Sequence, residues 1–159
     1  MNNIIQLILI TFIPGLELRA SIPYGITVLG MPWIKVVIIT FITNILLGPI
    51  VYILLNQFVH IVIKINFFNK IYEKFVIRTQ HKIENKVEKY GELGLALFIG
   101  VPLPGSGVYT GALAAFILGL NFKKFLIATV IGVFIAGILV TIATLTGVGI
   151  FEFMLKKNF

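Results

Sequence analysis

The sequence predicts an all-α integral membrane protein, built as an inverted repeat of a re-entrant helical hairpin plus a transmembrane helix, with an amphipathic cytoplasmic connector. Three observations predict it. Of the 159 residues, 58% are hydrophobic and 12% charged, against roughly 25% charged in ordinary soluble domains. The chain also matches itself at a shift of 89 to 90 residues. Both matching halves, finally, are interrupted by proline and glycine where a plain spanning helix would run straight through.

With a mean hydropathy of +1.05, only the stretch Lys64 to Glu92 lies outside apolar segments, so the chain reads as a single membrane domain. Its parts are repeat one (1–63), the connector (64–92) and repeat two (93–159). No basic region precedes the first apolar run, which reads as mature sequence rather than a secretory signal. The sequence holds no cysteine, which excludes disulfides, thiolate nucleophiles and cysteine metal sites. His60 and His81 lack metal-ligand spacing. The net charge of +7 collects at the ends of apolar segments, which points to phospholipid headgroups and not to nucleic acid.

The repeat is clearest where Leu29 to Val51 is laid on Leu118 to Val140. Leu29, Gly30, Lys35, Ile38, Thr40, Ile42, Gly48 and Val51 recur there. Upstream, Pro14-Gly15 falls on Pro104-Gly105. In order, each unit offers a short apolar arm, a break, a second arm and one long apolar segment. The arms are Ile4 to Ile13 and Ile22 to Leu29, then Leu93 to Val101 and Val108 to Leu118. Arms of roughly ten residues rise about 15 Å, half of a hydrocarbon core of about 30 Å. Val36 to Ile63 and Phe125 to Phe153 are long enough to cross.

A hairpin that returns to its own side leaves one crossing per unit, and one crossing turns the second unit upside down. In that arrangement Lys64 to Glu92 shares a side with Lys123 and Lys124, whereas Lys35, Lys156 and Lys157 lie opposite. The basic excess places the connector in the cytoplasm and the chain in the cell membrane as a multi-pass protein. Ile71, Phe75, Ile77, Ile83 and Val87, set among lysines and Arg78, read as an amphipathic helix on the headgroups.

Two motifs carry chemistry. In Pro14 to Gly25, Glu17 and Arg19 are the charges inside the first apolar stretch, with Ser21 and Pro23 beside them. Charges at membrane depth are costly and are retained for a pathway, a counter-ion or a pair. If Pro14 to Gly25 is unwound, both face one cavity, where a carboxylate can carry a proton or cation and a guanidinium can hold phosphate. The plainer alternative is an ion pair that pins the hairpin. In Pro102 to Gly111, Pro102 and Pro104 end the arm and Gly105 permits the reversal, while Ser106, Tyr109 and Thr110 offer neutral hydrogen-bonding groups. The candidate substrate or ion-binding set is therefore Glu17, Arg19, Ser21, Pro23, Pro102, Pro104, Gly105, Ser106, Tyr109 and Thr110. Asn44, Gly48-Pro49, Gly132 and Gly137 read as kink and packing points. No catalytic constellation, phosphate loop or cofactor motif is present, so an enzyme is not expected.

Glu17 to Ile26 and Pro102 to Ala115, taken in order, resemble the small multidrug export protein family, itself similar to the DedA/VTT membrane proteins. The resemblance covers nearly the whole chain. It implies paired re-entrant hairpins packed on spanning helices, and either secondary transport or translocation of a lipid or polyprenyl phosphate. Proton or cation coupling is left open, as is homo-oligomerisation. The implied partners are membrane lipids and a small-molecule or lipid-phosphate substrate. The alternative class is a non-transporting scaffold or partner subunit.

Overall fold

A computed structural model of the chain describes residues 2–62, 91–102 and 105–157. Among them every regular element is helical. The connector and Pro104 lie largely or wholly outside the described residues.

Helix α1 (Asn3–Phe12) begins where the Asn2 side chain accepts the Ile4 N–H at 3.0 Å, which satisfies one of the free donors of the first turn. The chain breaks at Ile13 and turns through Gly15, at φ +83°. Helix α2 (Glu17–Pro23) follows and continues into a π-helical turn, Tyr24–Val28. The long helix α3 (Trp33–Val62) completes the first unit. The second repeats the order with α4 (Gly91–Gly100), α5 (Val108–Leu118) and α6 (Phe122–Lys157).

Backbone conformation repeats as well as sequence. The described residues with positive φ fall into three pairs at the shift of the self-match: Gly15 and Gly105 (+83° and +80°), Glu17 and Gly107 (+46° and +141°), Gly30 and Gly119 (+60° and +70°). Four of these six sit at the breaks, and the third pair turns each unit into its long helix.

Within each unit the two short helices fold back on one another. The Thr11 and Ser21 hydroxyls hydrogen-bond at 2.8 Å, the Tyr24 hydroxyl donates to Gln6 at 3.3 Å, and Gly25 lies against Leu7. Positions that descend along α1 thus meet positions that ascend along α2. In the second unit Gly111 lies against Ile99 and Leu95.

The second arm departs from the sequence expectation. It starts at Glu17 and not at Ile22, so Pro14 to Gly25 is helical over most of its length. Pro23 withholds one backbone donor, and the turn after it widens: the Leu29 N–H reaches back to Tyr24 O. Gly25 is a packing position, since a Cβ there would lie 2.8 Å from both Leu7 Cδ1 and Val36 Cγ1.

The apolar windows of α3 and α6, Trp33–Phe58 and Phe122–Gly149, measure about 39 and 42 Å at about 1.5 Å per residue. Both exceed a hydrocarbon core of about 30 Å. The two helices run antiparallel. Tyr52 stacks on Phe125 with ring centroids 4.9 Å apart, and Phe41 meets Phe134 edge-on at 5.1 Å. Gly48 faces Thr129 and Gly137 faces Phe41, with no room for a side chain at either glycine. Small residues let helix backbones approach closely. Gly132 does the same for α4, against Ile99 and Ala96. Leu7, Leu18, Ile22, Val36, Leu47, Ile99, Val108, Phe125 and Val133 form the buried core of the assembly.

Candidate functional site

The two breaks meet in the interior, and four of the expected residues meet there with them: Glu17, Arg19, Ser106 and Tyr109. Glu17 is 2% exposed and opens α2 in the left-handed region. That conformation costs a non-glycine residue about 1–3 kcal/mol and persists only where the surroundings enforce it. The enforcing contact is visible. The Val108 and Tyr109 N–H groups donate to the Glu17 carboxylate at 2.9 and 3.3 Å. Gly107, at the cap position of α5, has no side chain to do this. Glu17 therefore caps a helix of the other unit, at its electropositive end.

Arg19 performs the complementary task. Nη2 donates to Ile99 O at 3.0 Å, Val101 O at 3.3 Å and Ser106 Oγ at 2.8 Å, and Nη1 donates to Ser106 O. Ser106 Oγ in turn donates to Val101 O at 2.6 Å. The carbonyls that α4 leaves free at its C-terminus are thus gathered by one guanidinium. Glu17 holds the start of α5 and Arg19 the end of α4, and the two charged groups approach one another beside Gly107.

The service is returned. Tyr109, which falls on Arg19 at the shift of 90, donates its hydroxyl to Phe12 O, the last residue of α1, at 2.6 Å. Each unit thereby supplies the donor that satisfies the end of the other's first arm. Gly107 is indispensable to the geometry. A Cβ there would lie 2.7 Å from Arg19 Nη1 and from both Glu17 carboxylate oxygens.

The remaining candidates lie apart from this contact. Ser21 is buried and binds Thr11 within its own hairpin. Pro23 ends α2, its carbonyl accepting from Thr27. Pro102 and Gly105 are exposed, and Thr110 bonds back to Gly107 O at 3.3 Å. The buried polar residues of the long helices were not among the candidates, and two of them stand out. Asn44 and Thr129 are 1% and 0% exposed, and neither the amide of the first nor the hydroxyl of the second has a hydrogen-bond partner. Their signal in the sequence was polarity within apolar helices, which packing explains as readily as binding.

Among the described residues no group of histidine, cysteine or carboxylate side chains is arranged to hold a metal. No curated protein and no solved structure matches the chain. A family profile described as "Putative small multi-drug export protein" matches residues 17–139. That span begins at Glu17, just after the Pro14-Gly15 turn, takes in the second break and ends within α6, and on this match the chain belongs to the small multi-drug export protein family.

Proposed function

We propose that the protein is a small secondary transporter of the cell membrane, an inverted repeat in which the contact between two re-entrant hairpins closes the translocation path. One observation carries the reading: Arg19 and Tyr109, equivalent in the repeat, each satisfy the arm end of the opposite hairpin. Neither break can move without exposing backbone groups of the other. In a membrane such groups are costly unless protein or a wet cavity takes over, so the two hairpins open and close together.

Inversion is supported by α3 and α6, equivalent under the self-match yet antiparallel. Their opposition also puts Lys123 and Lys124 at the end of α3 from which the connector departs, in accord with a cytoplasmic connector at 64–92. A reporter inserted in that segment should remain inside intact cells. A lipid-phosphate substrate would have to displace the Ser106, Ile99 and Val101 carbonyls from Arg19, since these occupy the fork that would otherwise grip phosphate. A small-molecule substrate makes no such demand.

The same contacts favour a second reading, a non-transporting scaffold, because Glu17 and Arg19 bind the backbone and side chain of the other hairpin rather than an open cavity. One experiment tests the choice. Purified protein in liposomes is assayed for substrate flux, alongside Glu17→Gln, Arg19→Gln and the double variant. Transport requires flux in the wild type and its loss in the double variant. A double variant that folds and transports at the wild-type rate makes the pair structural.

A further inference from the structure

We infer that Asn44 and Thr129 form a recognition position for a neutral, hydrogen-bonding ligand bearing hydroxyl or amide groups, and that this position, rather than Glu17, selects what the protein carries. The inference deepens the transport reading and rests on it.

Both side chains are buried in the helix-lined interior, and both are unpartnered. Asn44 presents a free Nδ2 donor and a free Oδ1 acceptor, and Thr129 a free hydroxyl. The state of Thr129 is unusual within this molecule. Thr11, Thr40, Thr43, Thr141 and Thr144 each bond to the carbonyl four residues earlier, the ordinary way for a helical threonine to be satisfied in an apolar setting. Thr129 has no such bond, although it lies at the repeat equivalent of Thr40.

The two residues share one neighbourhood. A Cβ on Gly48 would lie 2.9 Å from Thr129 Cγ2, 3.6 Å from Thr129 Oγ1 and 3.6 Å from Val108 Cγ1. Asn44 precedes Gly48 by one turn, on the adjoining part of the same helix face. Val108 is the residue whose N–H Glu17 caps. Beside Asn44, Pro49 brings no N–H to the Ile45 carbonyl four residues earlier, which adds an acceptor to α3.

The chemistry of this set decides the ligand class. The carboxylate of Glu17 and the terminal nitrogens of Arg19 are already committed to backbone and Ser106, so little charge is free to pair with a charged substrate. What is free is an amide with both ends open and a hydroxyl. A bare cation would leave Asn44 Nδ2 without an acceptor, and an anion would leave Oδ1 without a donor. A hydroxyl or amide group serves both ends. Sites built this way reject analogues that lack the matching group.

Chloramphenicol, neutral with hydroxyl and amide groups, and ethidium, a lipophilic cation, are suitable probes. Binding to purified wild type and to Asn44→Leu and Thr129→Val is measured by equilibrium dialysis, with thermal stability and liposome flux in parallel. The inference expects chloramphenicol binding to weaken at least tenfold in either variant, with ethidium unaffected and Tm unchanged or raised. It is overturned if wild type does not bind chloramphenicol, if the variants bind it as wild type does, or if ethidium binding falls equally. Where a variant loses Tm, Asn44→Gln or Thr129→Ser restores the polar group, and failure of these to restore binding also overturns it. Absence of flux for every probe in wild type defeats the transport reading itself. Flux that is insensitive to both substitutions defeats only the assignment of Asn44 and Thr129.

Discussion

At equivalent places in the two hairpins, the first unit has Glu17 and Arg19 where the second has Gly107 and Tyr109. The backbone traces similar turns at both, yet one break projects two charges and the other offers a bare glycine and a phenol. The difference teaches that the copies have divided a single task. The charged break caps both helix ends of the neutral one, and the neutral one returns a single hydroxyl. A charge in the second break is therefore unnecessary, because its free backbone groups are served from the first.

The most damaging way to break this asymmetry is to remove one charge. Arg19→Ala should lower stability by about 3–5 kcal/mol, since the Glu17 carboxylate stays buried while backbone groups lose their bonds, and Glu17→Gln by less, since Arg19 is only partly buried. Thermal unfolding in detergent reads the loss, and the double substitution Glu17→Gln/Arg19→Gln should recover part of it. A loss in the double variant equal to the sum of the two single losses would mean that the two charges act independently.

Gly107→Ala is the next largest expected effect, on the order of 3 kcal/mol, because its Cβ collides with both charged groups at a backbone angle that side chains resist. Recovery of Tm on combining it with Glu17→Gly, which removes the carboxylate that the new Cβ meets, would separate the collision from the cost of the backbone angle. Tyr109→Phe removes one hydrogen bond and leaves Phe12 O unserved, a cost of about 1–2 kcal/mol. The smallest change tests likeness instead of difference. Gly15→Ala and Gly105→Ala meet open space at nearly identical φ, so each should cost about 1 kcal/mol by backbone strain alone. Tm shifts that differ widely would show that the two turns are not energetically equivalent.

Much of this arrangement was legible in the residues themselves. Segment length and apolarity gave the two long helices, and Pro14-Gly15 with Pro102 to Gly105 marked the breaks, because those residues constrain φ in ways that a helix cannot absorb. The start of the second arm is less legible, since Pro23 and Gly25 suggest a motif broken from Pro14 to Gly25 whereas the helix begins at Glu17. A proline is tolerated where the following turn widens, and a glycine in a helix can answer to a neighbour's bulk instead of to a bend. Glu17 and Arg19 stood out as ionisable groups in apolar surroundings. Their partners did not, because the groups they satisfy are main-chain atoms that every residue possesses. Only the placement of Tyr109 at the shift of Arg19 held a trace of that exchange.

The bonds of Glu17 and Arg19 span 80 to 92 residues of sequence. At about 5–20 residues per second of synthesis, the ribosome needs roughly 4–18 s to deliver those acceptors and donors after the pair has emerged. Through that interval the first half of the chain carries a carboxylate and a guanidinium with no native partner. Closure of the contact is thus gated by the second half of the chain, and the first half is synthesised with both charges still waiting for their partners.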